Sequence, residues 1–169
     1  LHDQLEHELA DLFGYDEALV FASGFLANVG VIAALGSIPG TVIFSERENH
    51  ASLIDGTRLA RGEVRLFADL ADLARQLGAQ ADWSHALVVS DAVFSMTGRV
   101  MDLRRLAELK RKYKFKLYVD DAHGIGVLGP GGRGAVFDQG VRAEVDLLFG
   151  TFSKSLASLG GFVAADAAT

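Results

Sequence analysis

The sequence predicts an α/β fold, a three-layer sandwich in which a mainly parallel, mixed sheet lies between two layers of helices. Three observations carry this. Short apolar runs alternate with amphipathic helical stretches along the whole chain. The runs read as strands buried on both faces, which is the habit of parallel sheets covered by helices. Polar side chains capable of chemistry follow the ends of successive runs, as expected where parallel strands end together at one edge.

The bulk composition narrows the class. The 169 residues suffice for one domain with a real core. Half of them are hydrophobic and 22% are charged, a folded composition rather than a disordered one. A net charge of -6 argues against a nucleic-acid partner. The absence of cysteine excludes disulfides, thiolate catalysis and zinc-thiolate sites, and no metal site is expected. It is compatible with a reducing cytoplasm, the expected location. No apolar run approaches the roughly 18 residues of a membrane span, and no signal-peptide pattern is visible. The chain starts at Leu1 inside a helical pattern and stops at Thr169 just after a strand-like run. The expectation is one incomplete domain over residues 1–169, part of a longer protein.

Taken in order, residues 2–13 carry Leu5, Leu9, Leu12 and Phe13 on one face, an amphipathic helix stopped by Gly14. Leu19 to Ala22 is a short apolar run leading into Ser23-Gly24-Phe25, and a helix follows over about 26–35. Thr41 to Ser45 is β-branched and aromatic, hence a strand. Glu48 to Ser52 leads into a helix to about Ala60, and Glu63 to Phe67 is another short strand. Asp69 can cap a helix over 69–80. Ala86 to Ser90 is a buried strand ending at Asp91. Asp102 can cap a helix over 103–113 with Leu103, Leu106, Ala107 and Tyr113 inward. Leu117 to Val119, Val145 to Phe149 and Gly161 to Ala165 are the remaining strands. The basic cluster from Lys110 to Lys116 reads as a solvated helix end whose cations suit the dipole, with a phosphate-bearing ligand as a weaker reading.

The reactive side chains sit after strand ends. His50 follows one strand, Asp91 and Ser95 another, Asp120 and His123 a third, Thr151 and Lys154 a fourth. Each has an ordinary explanation alone, such as a cap or a turn residue. Together they predict one active site on the carboxyl edge of the sheet. Gly124-Ile125-Gly126-Val127-Leu128-Gly129 matches the dinucleotide glycine pattern, yet Pro130, Gly131, Gly132 and Gly134 follow it and no helix opens. It is read as a glycine-rich loop, and nicotinamide binding is rejected.

A desolvated lysine amine forms Schiff bases with carbonyls. A buried carboxylate can keep a pyridine nitrogen protonated, an imidazole can stack on a ring, and hydroxyls with N–H groups at a helix start can hold a phosphate. This set fits pyridoxal 5'-phosphate. A Schiff-base aldolase needs only the lysine and the acid.

The motifs resemble the α-oxoamine synthases, a branch of fold-type I pyridoxal-phosphate enzymes. The matching stretches are Ser23-Gly24-Phe25 with Asn28, Asn49-His50-Ala51-Ser52, Val93 to Met96 with Gly98, Val119 to Gly124, Gly132-Arg133-Gly134 and Thr151 to Lys154. The resemblance implies that Lys154 is the Schiff-base lysine and the base for the Cα proton. It implies Asp120 as partner of the pyridine nitrogen, His123 as partner of the phenolic oxygen and His50 as the stacked imidazole. Ser95 would line the site, and Gly24, Phe25 and Thr151 would hold the phosphate. The implied reaction is a decarboxylating condensation of an amino acid with an acyl-CoA, of the 8-amino-7-oxononanoate synthase or serine palmitoyltransferase type, by a homodimer. Alternatives are a glycine C-acetyltransferase, a related aminotransferase, or a non-enzymatic partner subunit, the last opposed by Lys154. The family's C-terminal small domain and N-terminal segment have no counterpart in these residues, so this piece alone is expected to be inactive. Asp91 stands where many members carry Glu, and Thr97 where Asp or Glu is common.

Overall fold

A computed structural model describes residues 1–79 and 83–167. The strands are β1 (Glu17–Phe21), β2 (Thr41–Glu46), β3 (Glu63–Phe67), β4 (His85–Asp91), β5 (Lys116–Asp120), β6 (Leu147–Thr151) and β7 (Gly161–Ala165). They form one seven-stranded sheet in the order β1-β7-β6-β5-β4-β2-β3. β3, β2, β4, β5 and β6 pair in parallel, and β7 runs antiparallel between β6 and β1. The mainly parallel, mixed sheet expected from the sequence is therefore present.

The helices are α1 (His2–Phe13), α2 (Gly24–Gly36), α3 (Ala51–Leu59), α4 (Leu70–Ala79), α5 (Leu103–Tyr113) and the short α6 (Ala135–Asp138). The period-two alternation of the strands sorts the core into two layers. Leu87 and Val89 of β4 and Tyr118 of β5 pack with Ala27, Ile32 and Leu53 of α2 and α3. Ala86 and Val88 of β4, with Leu117 and Val119 of β5, pack on the opposite side with Leu73, Leu77, Leu103 and Leu106 of α4 and α5. The central strands β4 and β5 are thus covered on both faces, which is why their middles are apolar, whereas the edge strands β1 and β3 are largely exposed and carry charged residues.

The predicted caps form. Asp69 Oδ1 accepts the Asp72 N–H at 2.8 Å, and Asp102 Oδ1 accepts the Arg105 N–H at 2.9 Å. Gly14 adopts φ 66° and its N–H bonds to the carbonyls of Ala10 and Asp11, ending α1. The expected end of α4 at residue 80 lies outside the described residues.

Four details differ from the sequence reading. Leu12 is 52% exposed, and Ala10 takes the inner face of α1 beside Leu9 and Phe13. β6 lies two residues later than the run 145–149, because Arg142–Glu144 forms a 3-10 turn that uses Val145 as its cap, and Thr151 pairs with Gly161. After the glycine loop a single helical turn, α6, does open, with its Val136 N–H donating to Asp121 Oδ2 at 3.1 Å. Lastly, the basic cluster is largely exposed as expected but in part paired: Lys110 and Lys116 share Asp146, and Arg111 bonds to Glu144. Among the described residues no helix is long and apolar enough to cross a membrane.

Candidate active site

A cavity of about 340 Å³ opens where β4, β5 and β6 end, at the low end of the roughly 300–1,000 Å³ usual for small-molecule sites. The pleat decides which polar residues enter it. Residues 87 and 89, like 118, 147 and 149, face the α2–α3 layer. Asp91, Asp120 and Thr151 continue those rows, so all three line the cavity. Asp121, one step on, faces the opposite layer and holds the glycine loop, and burial pushes its carboxyl up to about 7. The alternation thus separates the roles of two adjacent aspartates.

Asp120 is 3% exposed. Its Oδ1 accepts the Ala122 N–H at 3.0 Å, and its Oδ2 accepts the Asn28 amide at 2.8 Å. Burial pushes this carboxyl up, opposed by those two hydrogen bonds and by the nearby Lys154 ammonium. Asp91 is its register partner on β4. Burial, then repulsion from Asp120, push Asp91 up to about 8, while the His50 backbone N–H donates to its Oδ2 at 2.7 Å. Two carboxyls held side by side in a dry edge favour a cationic group between or above them.

His50 caps α3, its Nδ1 lying 2.8 Å from Ser52 Oγ. Asn49 sets the loop: its Oδ1 accepts the Asp91 N–H at 2.9 Å, and its Nδ2 donates to Val89 O at 2.9 Å and Ser45 Oγ at 3.0 Å. His123 is half-buried, and partial burial followed by the charge of Lys154 holds its imidazole below the usual histidine range. Lys154 stands on the loop after β6 and lines the cavity, but it is exposed, so the desolvation supposed from the sequence is absent in these residues. Ser155 anchors that loop by donating from Oγ to the Ile125 carbonyl at 2.8 Å.

The far wall is the start of α2. Ser23 caps it, accepting the Leu26 N–H at 3.2 Å. A Cβ on Gly24 would lie 2.9 Å from Phe149 Cζ and 3.1 Å from Thr151 Oγ1, so only glycine lets the helix start approach β6 this closely. Thr151 Oγ1 donates to the Gly160 carbonyl at 3.0 Å and lies 2.9 Å from Ser153 Oγ. Its hydroxyl thus shapes the loop, while Ser153 extends the polar wall.

Seven of the eight residues singled out from the sequence, Gly24, Phe25, His50, Asp120, His123, Thr151 and Lys154, line this cavity. Ser95 does not: it is exposed on the turn after Phe94 and lies outside the cavity lining. Asn28 and Ser52 line the cavity as well, although the sequence assigned them no task. Both stand in the stretches that carry the resemblance, and spacing points to them too, since Asn28 lies one helical turn beyond Gly24 and Ser52 two residues past His50.

Relatives carry the same stretch. The chain is 48% identical over 168 residues to a serine palmitoyltransferase of Bacteroides ovatus, covering 98% of this chain and 42% of that protein. It is 48% identical over 170 residues to an 8-amino-7-oxononanoate synthase of Chromohalobacter salexigens, covering 99% of this chain and 44% of the relative. A solved serine palmitoyltransferase with pyridoxal phosphate superposes with a TM-score of 0.92 at 34% identity, over 99% of this chain and 43% of that one. The chain therefore spans less than half the length of these relatives. Its full length, residues 1–169, matches the profile of aminotransferase class I and II. The chain belongs to the aminotransferase class I and II family.

Proposed function

We propose that residues 1–169 form the cofactor-binding core of a longer pyridoxal-phosphate enzyme. Its reaction joins an amino acid to an acyl-CoA thioester, releasing CoA and carbon dioxide, in the manner of a serine palmitoyltransferase or an 8-amino-7-oxononanoate synthase. The observation that carries this reading is the convergence of Lys154, Asp120, His50 and His123 on one cavity whose far wall is the Ser23-capped start of α2.

The residues fit the cofactor. Asp120 is a buried carboxylate with both oxygens braced, suited to hold a proton on a pyridine nitrogen. Gly24 lets the start of α2 come close to β6 at the cavity, and the N–H groups of the α2 start with the hydroxyls of Thr151 and Ser153 suit a phosphate. His50 and His123 line the same cavity as Lys154, whose Nζ is the amine for covalent attachment and for proton transfer at the substrate α-carbon. Pyridoxal phosphate, when bound, supplies a ring that withdraws electrons from that carbon. The exposure of Lys154, His50 and Phe25 supports a homodimer in which further chain completes and covers the site.

The test is an absorbance spectrum of the full-length protein with pyridoxal phosphate. A band near roughly 420 nm that is lost in Lys154→Ala identifies cofactor and anchor. Glycine, alanine and serine, each offered with short and long acyl-CoAs, then assign the substrate by CoA release. Absence of the band in the wild type overturns the proposal.

A further inference from the structure

Along the cavity wall a continuous hydrogen-bond chain joins Asp120, expected at the cofactor's ring nitrogen, to His50, expected to stack on the ring. Tyr118 Oη donates to Asn28 Oδ1 at 2.7 Å. The amide turns its N–H groups the other way, toward the Asp120 carboxylate. One donates to Asp120 Oδ2 at 2.8 Å and one to Ser52 Oγ at 2.9 Å. Ser52 Oγ lies 2.8 Å from His50 Nδ1, and the Ser52 N–H also points at that nitrogen at 3.3 Å. Asn28, Ser52, Tyr118 and Asp120 are all at most 3% exposed, so water does not compete along the chain.

The donor inventory leaves one self-consistent pattern. A tyrosine hydroxyl has a single proton, and it is used on Asn28. The amide has two, used on Asp120 and Ser52. The serine hydroxyl, already accepting from the amide, directs its own proton to His50 Nδ1. That nitrogen is then an acceptor and the imidazole carries its proton on Nε2.

We infer that Asn28 is a positioning residue that couples Asp120 to His50: it braces the carboxylate and, through Ser52, holds the imidazole in the Nε2–H form. The part that concerns the cofactor rests on the function proposed above, whereas the tautomer does not. Asn28 lies on α2, Ser52 on α3 and Asp120 on β5, so one amide ties the layer above the sheet to the site at its edge. The Asp120 carboxylate, which when ionised only accepts, sets the direction of the chain, because the amide must turn a donor to it and so its oxygen to Tyr118.

Two measurements on the full-length protein test this. The first reads the His50 tautomer by histidine ¹⁵N NMR without cofactor. The wild type is expected to show the Nε2–H form, and Ser52→Ala a mixture of tautomers. A wild-type Nδ1–H form, or an unchanged pattern in Ser52→Ala, overturns the coupling whether or not the protein binds pyridoxal phosphate. The second is equilibrium binding of pyridoxal phosphate to Asn28→Asp, an isosteric change that removes both donors and faces Asp120 with a second carboxylate. Binding is expected to weaken about tenfold or more, the loss typical of a hydrogen bond to a charged group. Binding within about twofold of wild type overturns the role assigned to Asn28. A wild type that binds no cofactor refutes the proposed function instead, and the tautomer measurement still decides the coupling.

Discussion

Asn49→Ala is expected to loosen the carboxyl edge of the sheet more than any loop substitution of similar size. Asn49 is 4% exposed and its amide makes three hydrogen bonds, one back to Ser45 of β2 and two to Val89 and Asp91 at the end of its neighbour β4. A net contribution of about 0.5–1.5 kcal/mol per bond gives a loss of about 2–4 kcal/mol. The unpaired Asp91 N–H and Val89 carbonyl, both buried, push the value toward the upper end. The His50 N–H to Asp91 bond hangs on the same loop, so the loss should reach the site. Urea unfolding of the full-length protein measures the first effect and pyridoxal phosphate affinity the second. Asn49→Asp sharpens the test, since it keeps the acceptor for the Asp91 N–H but loses both donors while ionised. Its burial raises its pKa, so part of the stability should return as the pH is lowered. A loss below about 0.5 kcal/mol for Asn49→Ala, smaller than one ordinary hydrogen bond, would refute this account of the edge.

Gly24→Ala should destabilise by about 1–2 kcal/mol, overpacking against Phe149 and Thr151 outweighing the helix propensity gained, and thermal unfolding checks it. Asp91, Asp120 and Asp121 all have raised carboxyl pKa values in the fold, so the folded state binds more protons than the unfolded chain. Stability of the cofactor-free protein should therefore fall as pH rises from about 4 to about 8, the opposite of the depression at His123, which favours the fold as pH rises through the histidine range. A rising or flat profile in a pH series of unfolding midpoints would contradict the burial of those carboxyls. Asp102→Ala removes the α5 cap and should cost about 1 kcal/mol, with no change in the cofactor spectrum, because α5 packs on the layer away from the cavity.

Much of the architecture was legible in one dimension. Apolar runs of strand length, caps at Asp69 and Asp102 and the stop at Gly14 are local signals, set by backbone geometry within a few residues. The strand ends also marked the site, since a parallel sheet brings all its carboxyl ends to one edge whatever the order of its strands. Seven of the eight chosen residues reach the cavity for that reason. Ser95 does not, because the chain turns outward at the isolated bridge between Val93 and Val100, a contact no local pattern announces.

Three things waited for the tertiary structure. The register of β6 was settled by pairing with β7, which no property of residues 145–149 reveals. The environment of each ionisable group was decided by what other elements place around it. Asp120 is buried and braced by a residue ninety-two positions away, while Lys154 is exposed. The link from Tyr118 through Asn28 and Ser52 to His50 joins three elements of the chain, β5, α2 and α3. Spacing along a chain encodes which face a side chain takes, and so which edge it reaches. It does not encode distance between elements, and hydrogen bonds, burial and the protonation they impose depend on distance.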